Sequence, residues 1–267
     1  MILLIHLGFR APRIRESKTP AKLGINYQEV SIPTQKGKQL FAWFLPTQIS
    51  APTMIIIHGW GGNAELMLPL AQPFHRSGIN VLLIDARNHG NSETSGHSSL
   101  PRFAEDIDSA INWLRQHKGG DVFLLGHSVG GGAVLFAASR RKDISAVISI
   151  SAFAHPQWMM FRYLTEKKIP STFIHWILQY VEWLIGYRFD DIAPMNTACK
   201  SHCPVLLVHG CEDKIIPLSD ALAIKNHCKN NSIQLLLIEG ADHDSVDKIE
   251  GHAHRLIEFL DSTHDMA

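Results

Sequence analysis

Six stretches of the chain are predominantly apolar over strand length: TMIIIHG (53–59), NVLLIDA (80–86), DVFLLGHS (121–128), AVISISA (146–152), CPVLLVHG (203–210) and IQLLLIE (233–239). Their apolar residues do not alternate with polar ones, so both faces of each strand are covered, the pattern of a mainly parallel sheet. Ahead of them, YQEVSIPT (27–34) and KQLFAWFLP (38–46) predict two strands joined by a tight turn at Gly37. Helical patterns fill the gaps at 64–77, 100–117, 133–140, 219–228 and 245–260. Strand and helix in alternation predict an α/β fold, a doubly wound sheet with helices on both faces.

One stretch breaks the alternation. Between the strands at 146–152 and 203–210 the chain carries three of its six tryptophans, Trp158, Trp176 and Trp183, with further aromatic and Met residues. It is too long for an ordinary connection, and it predicts an inserted helical lid over about 153–195. Aromatics at helical spacing usually pack down as core. The alternative is that Trp158, Trp176 and Trp183 line a substrate pocket.

The 267 residues, 45% of them hydrophobic, suffice for one large core, so a single domain over 27–267 is expected behind an N-terminal segment, 1–26. Formal net charge is +0, with no basic or acidic block, which argues against nucleic acid as a partner and for a neutral small molecule. Oligomeric state is not legible. The four cysteines, Cys199, Cys203, Cys211 and Cys228, include no C-x-x-C pair, so neither a zinc site nor a disulfide framework is expected, and reduced thiols in the cytoplasm are the default reading.

The start, MILLIHLGFRAPRIR, is apolar for about eight residues, far short of the roughly 20 that span a bilayer. It has neither the basic n-region nor the cleavage site of a secretory leader. Membrane association stays open in two forms: the tail of a longer anchor, or a short interfacial segment with Arg10, Arg13 and Arg15 facing headgroups.

Chemistry concentrates where strand 121–127 turns into helix. Gly126-His127-Ser128-Val129-Gly130 has the form G-x-S-x-G. In a strand-to-helix context this is a nucleophile elbow, whose small neighbours let a strained serine stand out at the sheet edge. A serine needs a base, and the base needs an acid to orient it. Asp213 follows the strand in VLLVHGCEDKIIP and His243 follows the last strand in LLLIEGADHDS. The order Ser, Asp, His is the one this elbow type uses, and parallel strands deliver all three to one sheet edge. Glu212 is the competing acid. His58, His127 and His209 read as strand-end histidines satisfied by backbone, and Arg87 and His89 as residues that pin a loop.

From about Tyr27 to Phe259 the chain resembles the α/β-hydrolase family. The resemblance rests on the elbow, on Gly210-Cys211-Glu212-Asp213-Lys214-Ile215-Ile216-Pro217 (G-x-x-D-x-x-x-P), on Gly240-Ala241-Asp242-His243 (G-x-x-H), on HGWGGN (58–63) and on DARNHGNS (85–92, D-x-R-x-x-G-x-S). It implies a Ser128, Asp213, His243 triad, an oxyanion hole made by the Val129 amide and one from the HGWGGN loop, taken as Trp60, and no metal or organic cofactor. The absence of an HGGG loop points to the lipase, thioesterase and serine-aminopeptidase-like branch, with a hydrophobic acyl substrate. The expected function is cleavage of a carboxylic ester or related acyl bond. Thioester or amide hydrolysis and cofactor-free perhydrolase chemistry share the fold. A binding protein that has lost turnover is the rival from another class.

Overall fold

The expected hairpin forms: β1 (Gln28–Pro33) pairs antiparallel with β2 (Gln39–Leu45), Ile32 opposite Leu40. The structure is a computed structural model that describes residues 5–6, 8–228 and 233–264. β2 runs antiparallel to β4 (Asn80–Ile84), and from there the sheet is parallel: β3 (Thr53–Ile57), β5 (Val122–His127), β6 (Ala146–Ile150), β7 (Val205–Gly210) and β8 (Ile233–Ile238). The strand order is β1-β2-β4-β3-β5-β6-β7-β8. Every residue of β3, β4, β5, β6 and β7 is buried, as their uninterrupted apolar runs require.

Two apolar cores flank the sheet. One holds Phe103, Ile107 and Ile111 of α2 (Leu100–His117), Val134 and Phe136 of α3 (Val129–Ala138) and Ile224 of α8 (Leu218–His227). The other holds Leu70 and Phe74 of α1 (Leu68–Arg76), Ile249 of α9 (Val246–Glu250) and Leu256, Phe259 and Leu260 of α10 (Ala253–His264). Three helices differ from the pattern-based expectation. The 64–77 stretch opens as a 3₁₀ turn, Ala64–Met67, capped by Asn63. The helix expected to start at 133 starts at Val129, because its glycines serve close packing and do not form a turn. The 245–260 stretch is cut in two at Gly251 and His252.

The insertion between β6 and β7 is helical: α4 (Pro156–Glu166), α5 (Ser171–Ile185), α6 (Phe189–Ile192) and α7 (Pro194–Ala198). Ile174, Ile177, Leu178 and Val181 of α5 join the core that contains α2 and α3. Asp220 of α8 pins the insertion's base, accepting hydrogen bonds from the Ala154 amide at 2.9 Å and from Arg162 at 2.8 Å. The expectation of four reduced thiols is corrected here, since Cys199, just after α7, and Cys228, just after α8, form a disulfide. Spacing along the chain cannot reveal that two helix ends meet in space; Cys203 and Cys211 stay free. Among the described residues no helix is long and apolar enough to cross a membrane.

Candidate active site

The elbow is built as tightly as its glycines imply. Ser128 is held at φ 56°, ψ −117°, a left-handed backbone that a non-glycine residue adopts only under constraint. A Cβ on Gly126 would collide with the backbone of Gly130, and one on Gly130 with the His58 carbonyl. The Ser128 amide is tied to the Ile150 carbonyl of β6 at 2.8 Å. Strand and helix therefore nearly touch, and the hydroxyl of a half-buried Ser128 is pushed out at the sheet's carboxyl edge.

The two partners arrive on the loops after β7 and β8. The Ser128 hydroxyl lies 3.1 Å from His243 Nε2, and His243 Nδ1 donates to Asp213 Oδ2 at 2.7 Å. A carboxylate can only accept, so the imidazole carries its proton on Nδ1 and leaves Nε2 free to accept from the serine. The other Asp213 oxygen accepts the amides of Ile215 at 3.0 Å and Ile216 at 2.8 Å. Burial works against charge on Asp213. The His243 hydrogen bond, the Ile216 amide and the nearby imidazoles outweigh it and hold the carboxyl below its usual range. Glu212 is exposed, whereas Asp213 is the buried carboxylate that accepts from His243. The acid and base loops are packed together, the Glu212 amide donating to the Ala241 carbonyl at 2.9 Å.

The loop after β3 passes directly over the serine. A Cβ at Gly59 would sit 3.2 Å from Ser128 Cβ, so a larger residue there would crowd the serine. His58 anchors it: Nδ1–H donates to the Gly59 carbonyl at 2.6 Å and Nε2 accepts the Ala86 amide at 3.1 Å. Burial, with His89 beside it, lowers His58 to about 3, so it stays neutral and keeps both bonds. Trp60 follows in a turn closed by the Gly62 amide on the Gly59 carbonyl, its indole edge-on to His89 and Phe9. Val129 is the first residue of α3, where an amide has no intrahelical acceptor.

The remaining histidines behave as read. His127 Nε2 donates to the His243 carbonyl and His209 Nε2 to the Ile216 carbonyl, each at 2.8 Å. Arg87 is paired with Glu105 and the buried Asp106, and His89 Nδ1 donates to the Arg87 carbonyl. Trp158, Trp176 and Trp183 sit on the exposed side of the insertion, the last 75% exposed, and their ring contacts stay within it: Trp158 on His155, Trp176 and Trp183 on Tyr180. The core face of α5 is aliphatic instead. Arg13, read as facing headgroups, turns inward to the carbonyls of Gly90 and Ser92, because those carbonyls offer it two acceptors. The apolar start, 1–4 and residue 7, lies outside the described residues. No local sequence signal marks His127 as the tie between elbow and base loop, nor Asp220 as the insertion's anchor.

A family model described as alpha/beta hydrolase fold matches residues 52–198. Among solved structures, the esterase Pf2001 of Pyrococcus furiosus superposes with a TM-score of 0.79 at 22% identity, over 96% of this chain and 97% of that one. The uncharacterized protein YfhR of Salmonella typhimurium is 27% identical over 254 residues, 87% of this chain and 78% of its own. The thiohydrolase aneE of Aspergillus aculeatus is 32% identical over 130 residues, 46% of this chain and 41% of that protein.

Proposed function

The chain belongs to the alpha/beta hydrolase fold family, and from that premise we propose that it is a serine hydrolase acting on carboxylic esters or related acyl bonds. The observation that carries this reading is the continuous line Ser128 Oγ, His243 Nε2, His243 Nδ1, Asp213 Oδ2, with each link at hydrogen-bond distance. In this reading Ser128 attacks the acyl carbon while His243 takes its proton. The tetrahedral oxyanion rests on the amides of Val129 and Trp60, each such donor being worth roughly 3 kcal/mol in other hydrolases. His243 then returns the proton to the leaving group, and water repeats the sequence to free the acyl-enzyme. Asp213, kept ionised, orients the imidazole and stabilises its charged form. The insertion would cover a pocket for a hydrophobic acyl group. No metal or organic cofactor enters these steps.

Likeness to a thiohydrolase over 130 residues favours a second reading, in which the leaving group is a thiol. The triad serves either leaving group without change.

A fluorophosphonate should label the protein stoichiometrically at Ser128, and Ser128→Ala should abolish both labelling and turnover of p-nitrophenyl esters. Label on another serine would overturn the assignment. Parallel kcat/KM values for ester and thioester pairs of one acyl group decide between the two leaving groups.

A further inference from the structure

The segment from Phe9 to Lys18 has no regular structure, yet seven of its ten residues contact one of two loops at the sheet's carboxyl edge. Its contacts with the loop after β3 and the turn that follows run in order along both segments. The Phe9 ring stands edge-on to Trp60, 6.4 Å between centroids. Pro12 lies so near Gly61, held at φ +72°, that a Cβ there would be 2.9 Å from its ring. The Ile14 carbonyl accepts from Asn63 Nδ2 at 3.1 Å, and Glu65 accepts the amides of Ser17 at 2.5 Å and Lys18 at 3.0 Å.

The other contacts go to the loop after β4. Arg13 donates to the carbonyls of Gly90 at 2.8 Å and Ser92 at 2.5 Å. The Phe9 carbonyl accepts the Ser98 amide at 3.1 Å, and the Glu16 carboxylate accepts from Asn91 Nδ2 at 2.5 Å. The strap is thus fastened to a support that is not the loop it covers.

We propose that residues 9–18 are a positioning strap for the oxyanion loop, holding the backbone of Trp60 to Asn63 against Ser128. The inference rests on the reading of Ser128 and Trp60 given above. Three of the four residues from Gly59 to Gly62 are glycine, so the loop has little stiffness of its own. Apart from the strap, it is restrained by His58 at its start, by the Gly62 amide on Gly59 and by the Asn63 cap on Leu66. An oxyanion donor helps only when it is already in place as charge develops, because a donor that must reorganise gives back its advantage. The loop is held on one side by its contact with Ser128 and on the other by the strap. Freeing the second side lets the donor wander while the triad stays intact.

The test uses Phe9→Ala and Arg13→Ala in the full chain, singly and together, beside wild type. The expected result is a fall in kcat of about tenfold or more, approaching the loss of one donor, with KM little changed. Affinity for a trifluoromethyl ketone, whose adduct places an oxyanion in the hole, should fall by the same factor as kcat/KM. Wild-type kcat in the double variant, or a lowered kcat with unchanged ketone affinity, would overturn the strap's role. Hydrogen exchange provides a readout independent of turnover. Amides from Trp60 to Glu65 should exchange faster in the variants while those of β5 and α3 do not, and unchanged exchange overturns the proposal even for a protein with no esterase activity. Absence of fluorophosphonate labelling at Ser128 in the wild type would instead count against the hydrolase reading.

Discussion

His127 Nε2 donates to the main-chain carbonyl of His243 at 2.8 Å, so the residue just before the elbow serine holds the backbone of the residue that faces it. The two rings lie 5.1 Å apart. Ser128 and His243 reach the sheet edge on separate loops 115 residues apart in sequence, and this bond is a direct tie between them. Replacing His127 by Leu removes the donor at similar bulk. Turnover should fall by about a hundredfold, the scale associated with an ångström of misplacement in a reacting group. Fluorophosphonate labelling at Ser128 should slow in step. Labelling at the wild-type rate would show that His243 needs no such tether.

The buried histidines set an acid limit on stability. Burial lowers His58 to about 3 and, with help from the adjacent His243, His127 to about 4. The unfolded chain binds protons on both near pH 6.5, while the folded protein refuses them until lower pH. Stability present at neutral pH is therefore lost as pH falls from about 6.5 to 4 for His127 and on to about 3 for His58. Urea unfolding across pH 4 to 7 should show this slope, and His127→Gln should flatten it. An equal slope in that variant would assign the effect to other groups.

Asp85 acts in the opposite sense. Burial first, and then the neighbouring Glu16 carboxyl, raise Asp85 well above the usual carboxylate range, so Asp85 retains a proton the unfolded chain has lost. The sign is reversed: stability is fully present below the ordinary carboxylate value near 4 and is lost as pH rises toward the raised one. Glu16→Gln removes the neighbouring carboxyl that helps to raise Asp85. Melting temperature in that variant should depend less on pH over this window than in the wild type. An unchanged profile would mean that Glu16 does not contribute to the raised Asp85.

Asp213→Asn keeps shape while removing the charge that fixes the His243 tautomer. Turnover should drop by roughly ten-thousandfold, on the precedent of the same change in another triad hydrolase, with near-native circular dichroism. Because Asp213 sits below its ordinary range when folded, the wild type also loses stability as pH falls through that lowered value, and the variant should lack this contribution. Wild-type-like kcat would remove Asp213 from the mechanism.

The insertion's aromatics separate two roles. Trp183 is 75% exposed, so Trp183→Ala should leave the melting temperature nearly unmoved, unlike a buried aromatic, whose truncation costs about 3 to 5 kcal/mol. If Trp176 and Trp183 contact the acyl group, their Ala variants change the ratio of kcat/KM between short and long p-nitrophenyl esters, each methylene in an apolar pocket being worth about 1 to 3 kcal/mol. An unchanged ratio in both would exclude them from the pocket.

The parallel strands, the elbow and the order of Ser128, Asp213 and His243 are legible in the sequence because each rests on local rules. A strand buried on both faces must be apolar throughout, a tight turn must be glycine, and parallel strands must end at one edge. What depends on distant segments meeting left no local mark. The Cys199–Cys228 disulfide joins two helix ends, His127 reaches the loop of His243, Asp220 of α8 anchors the start of the insertion, and the Phe9–Lys18 strap closes over Gly61 and Asn63. The insertion shows the division most plainly. Its helical spacing is in the sequence, but only packing decided that Ile174, Ile177, Leu178 and Val181 face the core while Trp176 and Trp183 face outward. Both faces of that helix are apolar enough to be buried, so periodicity could not choose between them, and the choice fell to the shape of the surface beneath.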